Sequence, residues 1–161
     1  VFDSYLKNGF TPVGFFKESV DFDKGYEDPV HSIRRQSEGI YAMLHFLAYE
    51  KENGRRHPEW EQKMKNMLDI LLRLQQADGS FPRKFRDDFT IVDTSGGSTP
   101  SATLPLVMGY KYFKDKRYLA SAKQTADYLE KVLISKADYF SSTLDANCED
   151  KEASRLPIIF H

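Results

Sequence analysis

The chain has 161 residues, 40% hydrophobic and 29% charged, enough for one domain with an interior core. Its formal net charge of −1 leaves no electrostatic footprint for nucleic acid or an anionic membrane surface, and no apolar run is long enough to cross a bilayer. Cys148 is the single cysteine, which excludes an intrachain disulfide and a cysteine-based metal site.

Taken from the amino terminus, Val1-Phe2-Asp3-Ser4 carries neither a basic start nor an apolar signal region, and both ends read as cuts through a longer chain. A long connection, Asn8 to Val30, leads into a first helix from His31 to Asn53, with Ile33, Ile40, Met43, Leu44, Leu47 and Ala48 on its apolar side and Gly54 as its stop. His57-Pro58 opens a second helix, in which Trp60, Met64, Met67, Leu68, Leu71 and Leu74 recur at helical spacing. Glu61, Lys65, Asp69 and Arg73 line its opposite face. Ser98-Thr99-Pro100 starts a third, running through Leu106 and Met108 to Phe113, with its hydroxyls as the expected cap and Pro105 as a bend. A fourth follows Asp115 and carries Tyr118, Ala122, Ala126, Leu129 and Leu133. A fifth begins around Cys148 to Ala153 and soon meets Pro157.

Short and long connections alternate. In an antiparallel array, the long ones, Asn8 to Val30 and Asp78 to Gly97 among them, gather at one end and the short turns at the other. The first and third helices are apolar around more of the cylinder, as inner elements are, while the second and fourth are amphipathic, as outer ones are. A faint repeat relates Leu74-Gln75-Gln76-Ala77-Asp78-Gly79-Ser80-Phe81 to Ile134-Ser135-Lys136-Ala137-Asp138-Tyr139-Phe140. The expected fold is all-α: about two and a half antiparallel helical hairpins in one domain, 1–161, stacked as part of a toroid or solenoid.

The stretch Gln75-x-x-Asp78-Gly79-Ser80-Phe81-Pro82-Arg83-Lys84-Phe85 resembles the helix-end motif of α/α toroid proteins, a group that includes glycoside hydrolases and polysaccharide lyases. Terpenoid cyclases share the architecture, but their related repeat ends in Trp where this chain has Phe81, and no Asp-rich metal motif is present. The segment from Ser142 to Ala153 resembles a loop leading to an inner helix in bacterial six-hairpin glycosidase-like proteins, and Gly96 to Ser101 fits the equivalent loop one hairpin earlier. The resemblance implies a fragment of an (α/α)6 ring whose parent is secreted or periplasmic, takes carbohydrate as its partner and needs no cofactor or metal. Apolar inner helices left open at the cut edge would favour a homodimer.

Glycoside hydrolysis needs two carboxyl groups, one protonated and one ionised. The long-connection end supplies Asp78, Asp87, Asp88, Asp93 and Asp138, and Asp145, Glu149 and Asp150 are the preferred catalytic group because they lie where a loop feeds an inner helix. The same residues suit a helix cap, and Asp78 suits a turn with Gly79. Glu38 is expected either at the same mouth or as a partner of Arg34 or Arg35. Sugar rings present apolar C–H faces, so Phe81, Phe85, Tyr139 and Phe140 are candidate binding platforms, as are Phe89, Phe15 and Phe16, with half of these rings expected to plug loops onto the core. Arg83, Lys84 and Arg86 would suit an acidic sugar. The histidines, His31, His45, His57 and His161, share no metal spacing, and His45 is expected in the core. A non-catalytic carbohydrate-binding or scaffolding domain is the main alternative. Others are a polysaccharide lyase with Tyr139 as base, and a helical repeat module for protein partners, against which the long loops argue.

Overall fold

The computed structural model describes residues 2–21, 23–95 and 98–135. Four long helices carry the molecule: α2 (Ile33–Glu52), α3 (Pro58–Leu74), α4 (Thr99–Phe113) and α5 (Lys116–Tyr128), the last continuing as a π-helical segment over Leu129–Ile134. A short helix, α1 (Phe2–Asn8), precedes them. The expected helices are thus present, offset by a residue or two at their ends. The fifth lies outside the described residues.

Ile40, Leu44 and Leu47 on α2 and Met64, Leu68 and Leu71 on α3 are buried in one core with Ala102 and Leu106 of α4 and Tyr118 and Ala122 of α5. α2 packs most extensively on α4, α4 on α5, and α3 lies across both α2 and α4. This is the inner and outer pairing expected from the hydrophobic patterns. The approach of α3 to α4 is close enough that a Cβ on Gly109 would lie 2.5 Å from a Leu68 methyl.

Small antiparallel sheets, absent from the all-α expectation, occupy the long connections. β1 (Val20–Asp21) pairs with β2 (Tyr26–Glu27), while β3 (Val30–Ser32), β4 (Lys84–Arg86) and β5 (Ile91–Asp93) form a three-stranded sheet. Its register sets His31 opposite Phe85 and Ser32 opposite Lys84. The segment entering α2 and the one entering α4 are therefore stitched together at one end of the bundle, where the long connections were expected to meet. At the other end, Glu50 of α2 accepts hydrogen bonds from the Arg55 guanidinium and His57 Nε2 across the short turn into α3. Gly54 takes the left-handed conformation expected of a stop, φ +74°.

The motif that carries the toroid resemblance is a structural lock. The Gln75 amide donates to Ser121 O at 3.0 Å and Thr125 Oγ1 at 2.9 Å, and its carbonyl accepts from Ser121 Oγ at 2.7 Å, tying the end of α3 to α5. Asp78 Oδ1 accepts from the Ser80 backbone N–H at 3.0 Å and hydroxyl at 2.7 Å. Gly79 has φ +93°, and a Cβ there would sit 2.4 Å from the Gln124 carbonyl oxygen. Phe81 is buried, and its N–H donates to Thr99 Oγ1 at 3.0 Å. The hydroxyl expected to cap α4 thus serves this lock instead, and the Ser98 side chain makes no cap bond.

Two consequences are measurable. Gly79→Ala combines a left-handed φ with a backbone clash, so it should lower unfolding free energy by more than about 1 kcal/mol in denaturant titration; an unchanged midpoint would refute the lock. Hydrogen bonds from Arg55 and His57 depress the Glu50 carboxyl from 4.5 to about 2. A depressed carboxylate contributes stability that is present above its unfolded value and lost as pH falls through the folded one. Thermal melts should therefore fall less steeply for Glu50→Gln than for the natural chain between pH 4.5 and about 2.

Candidate functional site

At the amino-terminal end of α2, on the side of the long connections, a cavity of about 320 Å³ is lined by Glu18, Asp28, His31, Arg34, Arg35, Glu38, Arg83 and Lys84, among others. α2 has no acidic residue in its first turn, and the side chain of its cap residue, Ser32, makes no cap bond. Glu18 occupies that place. Its Oε1 accepts from the Ser32 backbone N–H at 2.7 Å and from Gln36 Nε2 at 2.7 Å.

Gln36 does more than reach Glu18. Its amide accepts from Phe16 N at 2.9 Å and donates to Phe16 O at 2.8 Å, so a buried α2 side chain holds the segment before β1 as a strand neighbour would. Phe16 rests against Gly39, where a Cβ would come 2.6 Å from its ring. With the backbone fixed in this way, the Glu18 side chain is only 6% exposed, with Arg35 NH1 3.7 Å from Oε2. Burial pushes its carboxyl above the usual range, against the hydrogen bonds from Gln36 and Ser32 and the charges of His31 and Arg35, which pull it down.

Beside it the His31 side chain is wholly buried, with Nε2 2.8 Å from Asp87 Oδ1 and Nδ1 4.0 Å from Glu18 Oε1. The imidazole packs against Phe15 and Phe85. Across the cavity Arg34 Nε donates to Glu38 at 2.8 Å, and Arg83 pairs with Asp93 at 3.6 Å and reaches Ser95.

The expected site residues divide clearly. Glu38 lines the cavity and pairs with Arg34, but as an exposed side chain rather than a buried partner. Asp78 belongs to the turn, where hydrogen bonds from Ser80 hold its carboxyl below the ordinary range. Phe81 and Phe85, expected as sugar platforms, are 1% and 0% exposed and serve as plugs, which removes both faces from any ligand. Phe15 and Phe16 are buried likewise, and the Phe89 ring is covered by the Arg73 guanidinium at 3.6 Å. His45, expected in the core, is exposed against the edge of Tyr41. Asp145, Glu149, Asp150, Tyr139 and Phe140 lie outside the described residues. Glu18, Gln36 and His31 were not singled out by sequence. Among the described residues no group of three or more His, Cys, Asp or Glu is placed to hold a metal ion.

The homodimer expected through open inner helices finds no support among the described residues. Tyr5, Val13, Tyr26, Tyr49, Ile91 and Val92 are the large apolar side chains left exposed, and only Tyr49 belongs to α2 or α4.

The fold is that of part of an α/α toroid, and two of the solved structures it matches are carbohydrate-active proteins. A sugar epimerase from a ruminal bacterium aligns over 80% of this chain with a TM-score of 0.65 and 16% identity. An unsaturated glucuronyl hydrolase variant with the oligosaccharide dGlcA-Glc-Rha-Glc aligns over 96% with a TM-score of 0.66 and 14% identity. The chain spans 33% and 45% of the lengths of those two chains. No protein-family model matches it.

The raised Glu18 carboxyl gives the site a stability signature. An acid whose folded value lies above its unfolded one contributes stability that is complete at low pH and lost as pH rises through the folded value. Glu18→Gln keeps the acceptor for Ser32 and removes the buried charge, so it should melt higher than the natural chain at neutral pH, with the difference closing on acidification. A variant that melts lower at every pH would refute the assignment.

Proposed function

We propose that this chain forms part of a carbohydrate-processing toroid and that the cavity at the head of α2 is a wall of its sugar site, with Glu18 as the proton-donating acid. The observation that carries the reading is a nearly buried carboxyl held up in pKa while lining an open charged cavity. A glycosidic bond breaks when its leaving oxygen is protonated, and a carboxyl whose hold on its proton is strengthened by burial is suited to that step. Arginine and lysine donors stand beside the Glu38 and Asp28 acceptors, which matches sugar hydroxyls that both donate and accept.

The reaction class is glycoside hydrolysis of a poly- or oligosaccharide. The second carboxylate would come from Asp28 or Glu38 in the same cavity, or from Asp145, Glu149 or Asp150. Hairpins beyond the two and a half expected from the sequence would complete the ring, in keeping with the partial span of both toroid neighbours.

A binding screen of the chain against neutral and acidic oligosaccharides, with products followed on the hits, tests the proposal. Glu18→Gln should retain binding and lower turnover by about 10²–10⁴-fold, the usual contribution of a positioned acid. Binding without product in the natural chain would favour the non-catalytic carbohydrate-binding alternative. Turnover unaffected by Glu18→Gln would remove Glu18 from the reaction.

A further inference from the structure

Four buried side-chain polar atoms among the described residues lack a hydrogen bond, in His31, Ser37, Ser98 and Thr103, and only His31 Nδ1 is titratable. Its other nitrogen is satisfied. Asp87 is an acceptor, so Nε2 carries the proton that it donates across 2.8 Å. In the neutral ring that leaves Nδ1 bare, and the polar atom it approaches is Glu18 Oε1, 4.0 Å away.

The imidazole has little freedom to turn. It sits on β3 opposite Phe85 in the sheet register, with ring centroids of Phe15 and Phe85 at 4.8 and 5.7 Å. Rotating it by half a turn about its bond to the chain would give up the Asp87 bond. A histidine used only for packing would need neither this orientation nor two carboxylates from separate connections at its two nitrogens.

We infer that His31 is a positioning residue that shares one proton with Glu18, Asp87 fixing the tautomer that makes the exchange possible. This rests on the reading of Glu18 as the acid of the cavity. The step makes and breaks only bonds to hydrogen. The carboxyl O–H of Glu18 is broken as N–H forms at Nδ1, leaving a carboxylate and an imidazolium flanked by Asp87 and Glu18, and the reverse step restores the acid. The two atoms must close by about 1 Å to reach hydrogen-bond distance, a shift within side-chain motion. The charges facing the pair are Asp28 before β3, Arg34, Arg35 and Glu38 on α2, and Arg83 and Lys84 at the start of β4. Arg35 lies nearest Glu18 and favours the ionised state, which keeps the proton transferable.

The test is nitrogen NMR of the histidine-labelled full chain, read for tautomer and protonation across about pH 4 to 8, with the Glu18 carboxyl followed by carbon labelling. In the natural chain His31 should show a protonated Nε2 and a bare Nδ1, and both Nδ1 and the Glu18 carboxyl should respond in one shared pH step. Glu18→Gln should abolish that shared step, and Asp87→Asn should populate the other tautomer. Neither variant empties the core, so each is expected to fold, and the spectrum reports directly if one does not. A proton on Nδ1 with Nε2 bare at high pH, or a His31 response unchanged by Glu18→Gln, would overturn the inference. The oligosaccharide screen on the same samples separates the two claims. A shared proton without any glycan binding would defeat the functional reading alone, whereas glycan turnover with His31 indifferent to Glu18 would defeat the inference alone.

Discussion

The Glu18 carboxyl joins the segment before β1 to the head of α2. One oxygen takes the Ser32 N–H at the head of α2 and the Gln36 amide one turn in, and the His31 ring and the Arg35 guanidinium stand beside it. Gln36 at the same time grips the Phe16 backbone by both its N–H and its C=O. Without these bonds the segment between α1 and β1 would carry unsatisfied polar groups against a buried helix face, so its path over α2 follows from them. The cavity exists because that path leaves room between it, the β3-β4-β5 sheet and the first turns of α2.

The helices were legible because each buries a face at a spacing of three to four residues, and the apolar positions of α3 from Trp60 to Leu74 need no partner to be recognised. Each strand has only two or three residues, too few for an alternating pattern, and what makes them strands is pairing across long separations, as of Val30 with Arg86. The site was hidden for the same reason. Glu18 lies in a stretch that reads as connection, and its importance comes from Gln36, eighteen residues on. In β3 the polar His31 is buried while the apolar Val30 beside it is only half-buried, the reverse of what their hydrophobicities imply, so the sequence carried no signal for it. His45 illustrates the converse error, since an apolar neighbourhood along the chain surrounds a residue on the exposed side of α2.

Among the described residues, most Phe rings serve packing. Tyr5, Phe10, Phe16 and Trp60 form one cluster that seats α1 and the following segment on the helices, with the Tyr5 and Trp60 rings stacked at 6.3 Å. Phe15, His31 and Phe85 form another beneath the sheet. Small sheets over a helical bundle present one face to be covered, and Phe fills that space without a polar group to satisfy. The Gln75 to Phe81 motif belongs to the same economy. It resembles the toroids because stacking one hairpin on the next needs the lock, so it marks architecture and is silent on substrate.

What separates Glu18 from these structural features is its energetics. A carboxylate at a helix amino terminus, accepting a backbone N–H and facing an arginine, ordinarily titrates low, since all three influences favour the charged form. Here they are present and burial outweighs them. For stability alone a glutamine would accept the same Ser32 N–H without a desolvated charge, and for capping alone the exposed rim of the helix would serve better. Burial and hydrogen bonding thus oppose each other at this carboxyl, and cavities are where such perturbed groups concentrate. Asp78 makes the contrast within the same molecule: it too accepts a backbone N–H, but at an exposed turn, and it stays ionised and bound to Ser80. Of these two carboxylates, the one built into the toroid motif is held low by its turn, and the one outside the motif is raised by burial beside a cavity.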